Sequence, residues 1–181
     1  NSSMAQGGIA AVMSESDSFE SHIQDTLVAG AGLCRETVVR NYVLQAPDRI
    51  RDLLNWGVKF DAEQTLEGGH TFRRILHYED QTGLAIHSQL LERVRENPKI
   101  QLVEFEFAID LILNKLINPY DMSPNSVDGC YSFSSETGEV SAYMAQETIL
   151  ATGGAGKVYL YTSNWSGASG DGIAMAFRAG A

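Results

Sequence analysis

Apolar and polar positions along the chain alternate between helical and extended spacing. Phe19, Ile23 and Leu27 recur every four residues behind Ser16-Asp17-Ser18, which predicts a capped helix with one inward face, closed by Gly30 and Gly32. From Arg35, the positions of Val38, Val39, Tyr42 and Val43 predict a second helix. Pro47 is expected to interrupt it and to open a third, short helix with Ile50, Leu53 and Leu54 inward and Gly57 as its C-cap. Val58-Lys59-Phe60 is expected to form a short strand. A further helix should follow Asp80-Gln81-Thr82, with Ile86, Leu90 and Val94 on one face and Asn97-Pro98 as its end.

Beyond that point the period changes to two. Ile100 to Leu113 is the strongest strand candidate, with Glu104 and Glu106 alternating against Val103, Phe105 and Phe107. Gly129–Phe133 and Glu139–Tyr143 predict a hairpin around Ser134–Gly138. Thr148–Ala151 is expected to be a short buried strand running into Thr152-Gly153-Gly154, and Gly170-Asp171-Gly172 should open a helix from Ile173 to Ala179. Helices mixed with strands and a hairpin give an α/β domain with an added β-meander.

The totals narrow the partners. A length of 181 residues suits one domain, and 44% hydrophobic with 20% charged residues is an ordinary globular composition. The net charge of −10 and the lack of a Lys/Arg cluster argue against nucleic acid and anionic membranes. The longest apolar runs, Phe105–Leu113 and Ile149–Ala151, are too short to span a bilayer. Cys34 and Cys130 lack metal-ligand spacing and read as two reduced thiols of a cytoplasmic protein, and the four histidines form no zinc motif, so no metal is expected.

Three stretches could carry chemistry. Glu67-Gly68-Gly69-His70-Thr71-Phe72-Arg73-Arg74-Ile75-Leu76-His77 gathers a carboxylate, two glycines and two histidines within eleven residues, and can present Glu67 and His70 on a sharp turn. His70 and His77 could act in acid–base chemistry or serve as hydrogen-bonded structural groups. Arg73 and Arg74 could clamp a carboxylate, although a paired Arg on a loop is more often a surface feature. Gly7-Gly8, in the small apolar passage Ala5–Met13, and Gly153-Gly154 allow close backbone approach to a bulky ligand. Asp171 could be the N-cap of its helix or a carboxylate that meets ligand hydroxyls. The GxGxxG fingerprint, the phosphate-loop motif and a nucleophile elbow are all absent from the sequence.

Taken together, Asn1–Val12, Asp25–Gly32, Glu67–His77, Leu150–Gly154 and Gly170–Ala181 resemble the aspartate oxidase branch of the flavoprotein family that also holds succinate dehydrogenase and fumarate reductase. The resemblance covers essentially the whole chain. Ala-Gln-Gly-Gly and Gly-Asp-Gly are shared across that family, whereas Glu-Gly-Gly-His followed by Arg-Arg-Ile-Leu-His resembles the oxidase branch in particular. Thr162-Ser163-Asn164-Trp165 and Met4 depart from its usual pattern.

The resemblance implies part of an FAD-binding Rossmann-like domain over residues 1–181, lacking the first βαβ unit and the capping domain. It implies FAD held non-covalently, because Asn1 stands where membrane-associated succinate dehydrogenases have the His that bonds the flavin. Asn1, Ser2, Ser3 and Met4 with Ala5, Gln6, Gly7 and Gly8 would line the flavin. Phe107 and Ala108 would contact its adenosine half, and Thr152, Gly153 and Asp171 would complete the cofactor contacts. Glu67 would orient the α-ammonium group of L-aspartate, with His70 and Thr71 beside it. The implied reaction oxidises L-aspartate to iminoaspartate, with O2 or fumarate as electron acceptor and quinolinate synthase as next enzyme, in NAD biosynthesis. The alternatives are a soluble fumarate reductase or succinate dehydrogenase flavoprotein, and a flavin-free fragment without catalysis. By itself the chain is expected not to turn over aspartate.

Overall fold

A computed structural model describes residues 2–118, 120 and 122–181 of the chain. The chain divides into two compact units, with bounds Asn1–Gln101 and Leu102–Ala181.

In the first unit, helix α1 (Phe19–Ala29) starts at Ser18, whose hydroxyl accepts from the Ser21 N–H at 3.1 Å. This N-cap satisfies one of the free donors of the first turn, and Ser18→Ala is expected to cost about 1 kcal/mol in urea denaturation. Helix α2 (Glu36–Asn55) runs unbroken through Pro47, so the expected interruption does not occur. Val43, Pro47 and Ile50 all lie buried on one face, and the ring takes its place in the apolar stripe. That packing offsets the missing N–H.

Gly57, at φ 100°, closes α2: its N–H reaches the Leu54 carbonyl, and the Val58 N–H reaches that of Leu53. Val58 is therefore the buried residue that follows a helix C-cap, where a strand was expected. Helix α3 (Thr82–Glu96) ends at Asn97 as the sequence predicts. The two-residue strands β1 (Ile9–Ala10) and β2 (Ile75–Leu76) pair antiparallel, with Ile9 opposite Leu76 and Ala10 opposite Ile75. Ala11, Ile50 and Leu76 form the core beneath them.

The second unit is built on an antiparallel sheet, β3 (Glu106–Leu113), β4 (Val127–Ser134) and β5 (Val140–Met144), in the order β3-β4-β5. It supplies the expected β-meander, with the hairpin at the predicted place. Strand β3 starts later than expected because Phe105, at φ 60°, leaves the extended region. A bulge between Ala108 and Asp110 then shifts the inward face, so Leu111 and Ile112 are both buried. The short helix α4 (Asn114–Ile117) leads away from β3, and α5 (Asp171–Arg178) packs on β3, where Arg178 Nε donates to Asp110 Oδ2 at 3.0 Å.

The predicted buried strand at 148–151 is absent. Ile149 is 89% exposed, and no described strand pairs with this segment. A buried strand needs neighbours for its N–H and C=O groups, and every strand pair among the described residues involves other segments.

Candidate functional site

Strand pairing delivers the polar loop of the first unit to the glycine passage. The Ala11 N–H donates to the Arg74 carbonyl at 3.0 Å, extending the β1–β2 ladder toward the loop. Gly8 runs so close to β2 that a Cβ on it would collide with the Leu76 carbonyl and the Ile75 side chain. One residue earlier, a Cβ on Gly7 would stand 3.9 Å from Glu67 Oε1. The structure thus brings Gly7 and the Glu67 carboxylate together. Glu67 itself sits on an exposed turn closed by the His70 N–H to the Glu67 carbonyl at 3.2 Å, with Gly69 at φ 85°. Ser2–Met4 form a 3-10 turn that rests on the first turn of α3, where the Gly83 N–H meets the Ala5 carbonyl at 2.9 Å. A side chain at Gly83 would strike the Ser2 and Ala5 carbonyls. Asn1 lies outside the described residues.

Arg74 corrects one expectation. It is wholly buried where a surface Arg, or one free to clamp a ligand, was expected. Its Nε and Nη2 each donate to one Asp17 carboxylate oxygen at 2.8 Å, and Nη1 donates to Asp25 Oδ2 at 2.6 Å. Nη2 also reaches Ser21 Oγ at 3.1 Å. Two acidic groups and a hydroxyl take four of its five N–H groups, which is why a guanidinium is tolerated without solvent. Asp25 further accepts from the Thr71 N–H at 2.8 Å and from its hydroxyl at 2.6 Å, so Thr71 stands as a brace of the loop.

Burial pushes the Asp25 carboxyl up, but hydrogen bonds from Thr71 and Arg74 outweigh it and hold the group below its ordinary value. Burial likewise opposes the charge on Arg74, and Asp17 and Asp25 overcome it. His22, on α1, lies beside His70 with ring centroids 5.7 Å apart, and its Nδ1 is buried without a hydrogen-bond partner. Its own burial, then the Arg74 charge, lower its affinity for a proton. Because the folded His22 binds its proton less readily than the unfolded one, stability should fall as pH drops below the ordinary value of 6.5. The depressed Asp25 carboxyl adds a further loss only below its ordinary value of 3.8. A urea series between pH 8 and pH 3 checks both windows, and His22→Leu should abolish the first. His77, at the loop's other end, pairs with Asp61 through Nδ1 to Oδ2 at 3.0 Å.

In the second unit, Thr152 packs against Gly172 so tightly that a Cβ there would overlap the Thr152 hydroxyl. Thr152 and the start of α5 therefore converge. Gly170, at φ 84°, is the N-cap of α5, and Asp171 is its first residue with no capping hydrogen bond. The Asp171 carboxylate accepts from Ser169 Oγ at 2.6 Å and remains exposed. Gly153 has φ 76°, and a Cβ on Gly153 or Gly154 would meet nothing within 4 Å. Phe107 and Ala108 are exposed on β3 just before the bulge. Among the described residues no cluster of His, Cys, Asp or Glu could hold a metal, and no helix is long and apolar enough to cross a membrane.

Sequence reasoning missed Asp17, Asp25 and Gly83. The first two had a legible signal: Asp17, Ser21 and Asp25 are spaced by four, a row of acceptors from just before the N-cap of α1 into the helix that meets Arg74. Gly83 had none, because a helix glycine shows its use only when its neighbour across space is known.

A family model described as "FAD binding domain" matches residues 1–181. The chain belongs to that FAD-binding family. Its α/β fold and FAD as cofactor are those of the family. The chain is 46% identical to the L-aspartate oxidase of Pseudomonas aeruginosa, over 97% of this chain and 35% of that protein. It is 46% identical to that of Vibrio cholerae (97% and 34%), and 43% identical to the chloroplastic L-aspartate oxidase 2-a of Nicotiana tabacum (99% and 28%). The chain spans about a third of the length of the bacterial relatives it matches. Among solved structures, the quinol fumarate reductase FrdA of E. coli superposes with TM-score 0.88 at 30% identity, over 98% of this chain and 30% of that one. A flavocytochrome c3 fumarate reductase in its open conformation gives 0.85 at 25% identity, over 100% and 34%. The expected membership of the flavoprotein family is borne out.

Proposed function

We propose that the chain forms part of an FAD-dependent L-aspartate oxidase, and the observation that carries this reading is the Glu67 carboxylate beside Gly7. The likeness to aspartate oxidases at 46% identity, against 30% to fumarate reductase, supports it. The fit to FAD rests on open backbone: Gly7 is exposed, and Gly153 and Gly154 have free space where side chains would stand. In the first unit Ser2–Gly8 would line the flavin; taken by itself, the second unit offers Phe107, Ala108, Thr152, Gly153 and Asp171 as FAD-contacting residues. FAD supplies the hydride acceptor. Glu67 meets the α-ammonium group of L-aspartate and orients Cα, a role that a carboxylate serves for an amino acid and that would repel succinate. Iminoaspartate leaves toward quinolinate synthase, electrons pass to O2 or fumarate, and the protein is cytoplasmic.

Titrating L-aspartate into the FAD-loaded protein while recording flavin absorbance tests the reading. Glu67→Gln should weaken aspartate binding by about thirtyfold, as expected for losing a charged hydrogen bond, and should weaken succinate binding little or improve it. Equal losses for both ligands would refute the orienting role.

A further inference from the structure

We infer that Arg74 is a positioning residue: it holds the His70 ring with its proton on Nε2, so that His70 offers a hydrogen-bond donor to a substrate carboxylate. The starting point is donor chemistry. A guanidinium carries only donors and stays charged, and Arg74 Nη1 faces His70 Nδ1 at 3.4 Å. A proton on Nδ1 would set N–H against N–H, so Nδ1 is the acceptor and the neutral ring keeps its proton on Nε2.

Arg74 cannot turn away from this task. The Asp17 fork at 2.8 Å and the Asp25 contact at 2.6 Å hold the guanidinium in a fully buried position. His70 is held as well, through its N–H to Glu67 and through the adjacent Thr71, which Asp25 binds twice. One acidic residue, Asp25, thus locks both the director and the turn that bears the directed ring.

The consequence for binding rests on the function proposed above. Glu67 and His70 are the two ends of one turn. An acceptor for ammonium at one end and a donor for carboxylate at the other match an α-amino acid. The same arrangement removes His70 as a base, because the only lone pair of the neutral ring points at Arg74.

A two-bond 1H–15N correlation spectrum of the FAD-loaded protein, with 15N-labelled histidine at pH ~8, reads the ring form without substrate. The expected pattern is an Nε2–H imidazole, assigned to His70 by its loss in His70→Gln; any other pattern for that ring overturns the inference. Flavin-monitored titration provides a second readout. His70→Ala should weaken aspartate binding roughly tenfold. His70→Gln, whose amide N–H reaches the Nε2 position, should recover most of it, whereas His70→Asn should not. A Gln variant as weak as Ala overturns the donor role. If aspartate leaves the wild-type flavin spectrum unchanged, the proposed function falls, and the ring form still decides the Arg74–His70 pairing. If aspartate binds and the proton sits on Nδ1, the pairing alone falls.

Discussion

Arg74→Met is expected to destabilise the first unit by about 4 kcal/mol in urea denaturation followed by circular dichroism. The substitution keeps an unbranched side chain of similar length, so the loss reports charge more than volume. Asp17, whose side chain is 1% exposed, and Asp25, 14% exposed, would both lose their counter-charge. The penalty is that of an uncompensated buried carboxylate, much larger than the net worth of the intact pair. A comparison with Arg40 sharpens the point. It also bridges two acids, Glu20 and Glu36, yet it sits at the surface, and Arg40→Met should move the transition far less. A loss below 1 kcal/mol for Arg74→Met would mean that water reaches the Arg74 site. The same variant should loosen the Glu67–His70 turn, because Asp25 would no longer be oriented toward Thr71.

Gly8→Val should cost about 3 kcal/mol and lower the FAD content of the purified protein, read from the ratio of visible to near-ultraviolet absorbance. The added side chain meets the backbone carbonyl of Leu76, which the antiparallel pairing of β1 with β2 holds in place. Backbone cannot move aside as a flexible side chain would, so the Ser2–Gly8 passage must lift from the loop. Gly68→Ala is the control. A Cβ at Gly68 meets nothing within 4 Å, and its stability change should lie within ~0.5 kcal/mol. Full FAD content in Gly8→Val would separate the passage from cofactor binding.

Local pattern carried much of the fold. The four-residue spacing of Phe19, Ile23 and Leu27, the Asn97-Pro98 stop and the Gly-rich hairpin each predict an element that the structure contains. Where the reading failed, a distant partner decided. Pro47 looks like a breaker until its ring is seen buried between Val43 and Ile50. Ile149 and Leu150 look like a core strand, but strand formation depends on neighbours rather than on propensity. The loop from Glu67 to His77 was legible as a sharp polar turn, and the contacts within it were not. Sequence spacing says nothing of which Arg meets acids 57 and 49 residues away, nor that Thr71 is braced by one of them. The four-residue repeat of Asp17, Ser21 and Asp25 was visible all along, and it gained meaning only once Arg74 stood opposite.

Those same separations bear on when the loop acquires its shape. Joining Arg74 to Asp17 closes a stretch of 57 residues, and joining it to Asp25 closes one of 49. Closure of that length is entropically unfavourable until α1, α2 and the core under β1 have already condensed. The ion pair is therefore expected to form after the folding barrier, so that weakening it accelerates unfolding and leaves the refolding rate nearly unchanged, which stopped-flow kinetics in urea checks. A nascent chain that has not yet completed its core also lacks the ordered Glu67–His70 turn. Completion of the core and ordering of that turn are in this way expected to come together.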